Sequence, residues 1–347
     1  MAEGKSYSMK VLILADSLNP WHSVWIRMGQ YIQHWGYDVY TTTSICEDRE
    51  GNIRGIDQTG KMHPKTDGIL LYRWSPVKEF PEALYRAMKR GLPVIADIDD
   101  NLWEAGGSWT KERLKILTVT LRKVSLITCS TYNLQIMLKT MFPMKTVLEI
   151  RNSAPKNKVR TKKHKNVLRV GWTGAPWTRQ YDLELIRPLT KWIINNTNGQ
   201  FVHIGHHPDR PSFSKLLEIP NERMEEIRLM PYNQYIRSID FDIGLAPLSK
   251  SNFNTCKSDL KILEYSSQGI PWICSDCDPY RDLCESWELE YRLCKKSSDW
   301  IKNFQELMNE EERRKEGEFL EKLSQSRRGE DEIAEEWKNI INNIFNN

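Results

Sequence analysis

Short apolar runs and amphipathic stretches alternate along the chain. KVLILADS, from Lys10, is a compact apolar run that predicts a buried strand, and a turn at Asn19-Pro20 follows it. From Ser23 to His34 the apolar residues Val24, Met28, Tyr31 and Ile32 fall near helical spacing. Gly36 ends that stretch, and YDVYTTT (37–43) alternates as a strand does. The pattern repeats with GILLYRW, the helical FPEALYRAMKRG, LPVIADI, a helix over Ser108–Arg122, SLITCS, a helix over Asn133–Lys139, and TVLEI. Strand-helix-strand order within about 35 residues predicts the βα-units of a parallel sheet.

After Arg151-Asn152 the chain passes through a basic segment with no core residues, then the alternation restarts. VLRVGWTG (167–174), a helix from about Leu183 to Asn195, QFVHIG, EIRLM, the helical NQYIRSI, FDIGLAPL, a helix over 257–268 and GIPWICS follow in order. Two runs of β-α alternation predict an α/β protein of two Rossmann-like domains facing across a cleft. Ligands are expected beyond the carboxyl ends of the strands. The boundaries read as 1–152, a linker over 153–166, a second domain over 167–325 and a C-terminal helix over 326–347. NEEERRKEGEFLEK reads as a solvated charged face. In the final helix Ile333, Trp337, Ile340, Ile341 and Ile344 form a stripe expected to pack back on the body.

Composition narrows the class. The chain has 347 residues, 39% hydrophobic and 28% charged, which suits a soluble two-domain protein. VLILA and GILLY are too short to span a bilayer. The first residues lack the apolar core of a signal peptide, and seven cysteines in so long a chain fit a reducing compartment, so a cytoplasmic location is expected. A net charge of +4 does not by itself imply nucleic-acid binding. Lys156, Lys158, Arg160, Lys162, Lys163, His164 and Lys165 are nevertheless clustered. They read as a solvated linker, or as a contact for an anionic surface, a membrane periphery or nucleic acid.

Two stretches carry candidate chemistry. In CKSDLKILEYSSQGIPWICSD (256–276), Lys257, Lys261 and Glu264 are spaced to share one helical face. A helix start near Ser258 would offer free N–H groups to an anion. A glutamate further along can accept paired hydrogen bonds from a ribose diol. A nucleotide clamp and an exposed Lys261–Glu264 ion pair both fit this spacing. In VGWTGAPWTRQYDL (170–183) a strand runs into a turn containing Thr173 and Gly174, with Arg179 placed to take phosphate charge.

These stretches, with VHIGHH, FDIGLAPL and Pro279-Tyr280, resemble the large GT-B family of retaining, nucleotide-sugar-dependent glycosyltransferases (glycosyltransferase family 4-like). The resemblance implies that Glu264 holds the donor ribose and that Arg179, Lys257 and Lys261 hold its diphosphate. Ser258, Thr173 and Gly174 complete the donor site. The N-terminal domain would carry the acceptor: a glycan, a lipid-linked sugar or another hydroxyl compound. No cofactor or metal beyond the nucleotide-sugar co-substrate is implied. At Cys256 the family usually has a glutamate, and at Trp172 commonly an arginine.

DIDDNLW (97–103) offers Asp99 and Asp100 to orient or deprotonate an acceptor hydroxyl, and Asp97 and Asp99 also resemble a metal-binding DxD. Trp21, His22 and Trp25 suit sugar stacking and, for His22, hydrogen bonding. His203, His206 and His207 lack a cysteine or carboxylate at ligand spacing, so no metal site is expected there. The expected activity is hexosyl transfer from a UDP- or GDP-type sugar to a hydroxyl with retention. Alternatives are a DNA-modifying glycosyltransferase, a non-catalytic nucleotide-sugar-binding protein and a nucleotide-sugar epimerase.

Overall fold

A computed structural model describes residues 8–15, 23–74, 82–107, 109–156 and 167–346. The chain divides into two units, Met1–Arg151 with Asp331–Asn347, and Asn152–Glu330.

The first unit is built on a parallel six-stranded sheet. Its strands are β1 (Lys10–Ala15), β2 (Asp38–Thr42), β5 (Gly68–Tyr72), β6 (Val94–Ile98), β7 (Leu126–Cys129) and β8 (Val147–Glu149), in the order β2-β1-β5-β6-β7-β8. β3 (Ser44–Glu47) and β4 (Ile53–Ile56) form a separate antiparallel hairpin. The central strands β1, β5, β6 and β7 are almost wholly buried, which is why their sequences run apolar without alternation, while the edge strand β2 is partly exposed.

The C-terminal helix Glu330–Phe345 completes this unit's core. Ile333, Trp337 and Ile341 pack with Val11, Leu70 and Ile95, and Trp337 lies 6.4 Å from Trp35. A tryptophan buried so fully contributes about 4–6 kcal/mol of transfer free energy. Beside it a buried ion pair joins two distant segments. Arg27 donates to both Asp97 oxygens at 2.9 and 2.8 Å and to the Ile150 carbonyl at 2.6 Å. Thr128 Oγ1 donates to Asp97 as well, at 2.7 Å. Asp97 is therefore spoken for by Arg27 and is not presented to a metal, unlike the DxD it resembles.

The expected helix over Ser23–His34 is broken into Ser23–Arg27, a 3₁₀ turn over Gly29–Tyr31, and Ile32–Trp35. The Trp25 ring occupies the space where a side chain at 29 would stand.

The second unit repeats the architecture. Its strands are β9 (Arg169–Thr173), β10 (Gln200–His206), β11 (Met224–Arg228), β12 (Ile243–Ala246), β13 (Trp272–Ser275) and β14 (Leu293–Cys294), in the order β11-β10-β9-β12-β13-β14. All pairings are parallel. The core gathers Val170, Trp172, Phe201, Phe213, Ile243 and Ile273. The expected helix over 183–195 forms as two, Gln180–Glu184 and Arg187–Asn196, the second starting at Pro188 in its first turn. Among the described residues no helix is long and apolar enough to cross a membrane.

Candidate functional site

In the second unit the site begins where β9 ends. Thr173 is its last residue, and Gly174 has φ 137°, a conformation that side-chain-bearing residues rarely adopt. The turn is tied to β10 on both sides. Gly174 N donates to the Ile204 carbonyl at 2.9 Å, and His203 Nε2 donates to the Gly174 carbonyl at 2.9 Å. Gly205, with φ 125°, lies against it: a Cβ there would overlap the Gly174 carbonyl oxygen. Replacing Gly205 with alanine should therefore displace the turn. We expect the alanine variant to lose about 1–3 kcal/mol of stability, the cost of forcing this backbone, read as a lowered midpoint in a thermal melt.

Trp172 does not face a ligand. It is buried in a cluster of three mutually contacting rings, 5.4 Å from His203 and 5.3 Å from Phe213, which lie 5.3 Å from each other.

Lys261 stands over the same turn. Its ammonium donates to the Thr173 carbonyl, lies 3.4 Å from Thr173 Oγ1, and sits 5.2 Å from the centre of the Trp172 ring. Burial pushes its pKa down to about 8. Three residues along the helix Leu260–Ser267, Glu264 is 5% exposed and accepts from Tyr235 Oη at 2.6 Å. Burial raises this carboxyl to about 7. Lys261 and Glu264 are thus engaged by different partners, Thr173 and Tyr235, and the surface ion pair that spacing allowed is not how they are used. Tyr265 closes the floor, its hydroxyl accepting from Thr173 N at 3.2 Å.

The other two cations gather on Phe253. Lys257 Nζ lies 4.4 Å from its ring centre and the Arg179 guanidinium 5.5 Å. Arg179 donates to Asn254 Oδ1 at 3.4 Å and lies 3.8 Å from Asp182. Asp182, 4% exposed, accepts from Ser249 N, Ser249 Oγ and Asn254 Nδ2 at 2.8, 2.6 and 2.9 Å.

The helix carrying Lys261 and Glu264 starts later than spacing implied. Lys257 and Ser258 lie in the link after the short helix Asn252–Thr255, and Asp259 is the capping residue. The Asp259 carboxylate receives Arg328 at 2.9 and 3.3 Å. Lys257 therefore reaches the cation group through Phe253, not along a shared helical face. Thr173, Gly174, Arg179, Lys257, Lys261 and Glu264 are brought together at the carboxyl end of β9, with Ser258 in the adjoining link. Sequence reasoning missed Tyr235, Tyr265 and Asp182. Asp182, three residues after Arg179, was the one with a local signal.

In the first unit Asp99 and Asp100 follow β6. Tyr72 Oη donates to Asp99 at 2.7 Å, Arg73 Nε donates to the other Asp99 oxygen, and Arg73 Nη2 donates to Asp100 at 2.7 Å. Arg73 holds this bridge with φ 46°, a left-handed backbone at a residue with a side chain. Nothing in the sequence marked it. One guanidinium bridges both carboxylates and fixes their oxygens, and the trio keeps a net negative charge. Trp25 is half-buried against Gly29; Trp21, His22 and nearly all of the basic run 156–165 lie outside the described residues.

No protein-family model and no curated protein sequence matches the chain. Solved structures do. Sucrose-phosphate synthase from Thermosynechococcus elongatus aligns over 97% of this chain and 99% of its own, with a TM-score of 0.65 at 10% identity. A glycosyltransferase from Rickettsia africae ESF-5 aligns over 99% and 100%, with a TM-score of 0.66 at 10% identity. The pneumococcal O-GlcNAc transferase GtfA, solved with UDP and GlcNAc, aligns over 80% of this chain and 57% of its own, with a TM-score of 0.54 at 14% identity. This protein has the GT-B fold, two β-α units each built on a parallel six-stranded sheet.

Proposed function

We propose that the protein is a glycosyltransferase that moves a hexosyl unit from a UDP- or GDP-sugar to an acceptor hydroxyl with retention. The observation that carries this reading is the arrangement around the Gly174 turn. A buried carboxyl (Glu264) lies three residues from a half-buried ammonium (Lys261) fixed on a glycine turn, with Arg179 and Lys257 beside it. Glu264 would accept the ribose hydroxyls, exchanging its Tyr235 bond for a diol. The cations would stabilise the departing diphosphate, which is charge stabilisation aimed at the leaving group. Three cations supply that charge without calling on a divalent ion. The pneumococcal enzyme of the same fold was crystallised with UDP, which supports a uridine donor as the first to try. In the first unit Asp99 and Asp100, held by Arg73, would orient the acceptor hydroxyl.

A screen of UDP- and GDP-sugars with mixed glycan, lipid-linked and simple hydroxyl acceptors tests the reading. Nucleotide release that depends on acceptor is the expected result. Tight nucleotide-sugar binding without turnover would instead identify a binding protein. A changed sugar formed without acceptor would identify an epimerase. Transfer to duplex DNA, with binding that weakens steeply with salt, would identify a DNA-modifying enzyme acting through 156–165.

A further inference from the structure

Behind the Gly174 turn, three donor groups converge that the glycosyl-transfer reading leaves unused. His203 and Glu226 face each other across the parallel register of β10 and β11. His206 is three residues beyond His203, and in a regular strand it would point to the opposite face. It does not, because the register shifts between Ile204 and His206, at Gly205. The bulge turns His206 back toward Glu226. The donor atoms of His203, His206 and Glu226 all lie within 4.8 Å of one another, the one such group among the described residues.

The hydrogen bonding leaves lone pairs aimed inward. His203 Nε2 faces the Gly174 carbonyl, which can only accept, so Nε2 carries the hydrogen. Its Nδ1 is fully buried and has no hydrogen-bond partner, although Glu226 Oε1 is 3.8 Å away. His206 Nδ1 is 3.1 Å from Glu226 Oε2, yet it too forms no hydrogen bond. Ser214 N and Oγ hold Glu226 Oε1 at 3.3 and 3.4 Å, leaving Oε2 toward His206. Two imidazole nitrogens and a carboxylate, oriented from behind by a backbone carbonyl and a serine, have the make-up of a zinc site with its outer shell.

We propose that His203, His206 and Glu226 bind a zinc-type divalent cation through Nδ1, Nδ1 and a carboxylate oxygen, with water in the fourth position. Sequence spacing argued against a metal here because the carboxylate comes from the neighbouring strand. Tetrahedral bonds of about 2.0–2.2 Å place donors about 3.3–3.5 Å apart, so a modest contraction closes the site. Nitrogen-rich ligation favours Zn²⁺ over Mg²⁺ or Ca²⁺. A cation on Nδ1 makes Nε2–H more acidic and strengthens its bond to the Gly174 carbonyl, so the ion would brace the turn. The site does not depend on which nucleotide or sugar the protein uses.

The test is zinc titration of the chelator-treated full chain by calorimetry, with Co²⁺ absorption as a report of the ligand set. One ion per chain, with cobalt bands free of thiolate charge transfer, is expected. His206→Ala and Glu226→Gln alter partly exposed side chains outside the Trp172 stack, and each should weaken Zn²⁺ binding at least about tenfold. Absence of stoichiometric binding, unchanged affinity in either variant, or a cobalt–thiolate spectrum from the chain's cysteines would overturn the proposal.

Discussion

Glu264→Ala should remove nucleoside-diphosphate binding, lowering affinity for UDP or GDP by two to four orders of magnitude while the protein still melts cooperatively. The carboxyl is almost fully buried, and its described hydrogen bond to Tyr235 is one that a ribose diol would replace. Hydrogen bonds to a charged acceptor contribute about 1.5–3 kcal/mol each, so losing a pair costs about 3–6 kcal/mol of binding. The fold should tolerate the change better than its burial suggests. Burial raises this carboxyl to about 7, so the folded state holds its proton more tightly than the unfolded chain does. Its stabilising contribution is complete below the unfolded value of about 4.3 and is lost as pH rises through about 7. Glu264→Gln keeps an acceptor and should fall between the two. Calorimetry against UDP and GDP, with thermal melts at pH 8, reads both effects. Unchanged nucleotide affinity in the alanine variant would remove this site from donor binding.

Lys261→Met should lower turnover on the preferred donor by about 10²–10³-fold, the cost of removing one group preorganised for developing charge. The same residue predicts a pH dependence of binding. In the empty site burial holds the ammonium at about 8, so above that pH the free protein loses the charge that a diphosphate favours. The sign follows from linkage. The complex keeps the proton and the free protein gives it up, so UDP or GDP affinity should fall by up to about tenfold per pH unit above 8. Lys261→Arg, which stays charged throughout, should flatten that slope whatever its effect on affinity at neutral pH. A parent protein whose affinity is flat from pH 7.5 to 9.5 would separate Lys261 from the diphosphate.

The two sets of candidate residues were legible to different degrees. Gly174, Thr173, Arg179 and Glu264 lie in stretches whose residue types announce a turn, a cation and an acceptor. Trp172 was less legible, since its position suggests a departure in the site and its packing makes it core. The hairpin β3–β4 escaped because its strands are four residues each and only partly buried, too short to show a period. Arg73 escaped because its role depends on a left-handed backbone and two aspartates 26 and 27 residues away.

What the sequence determined by itself is the alternation of buried strand and amphipathic helix, twice over. Local periodicity and apolar runs demand burial wherever they occur, and the central strands of a parallel sheet are covered on both faces, so their pattern is plain. The tertiary structure alone decided which polar groups meet. The pairing of Arg27 with Asp97 spans 70 residues, and Lys261 reaches Thr173 across 88. Glu226 joins two histidines only through strand register and a bulge. A buried charge must find a partner somewhere, but sequence spacing carries no information about which strand will be its neighbour.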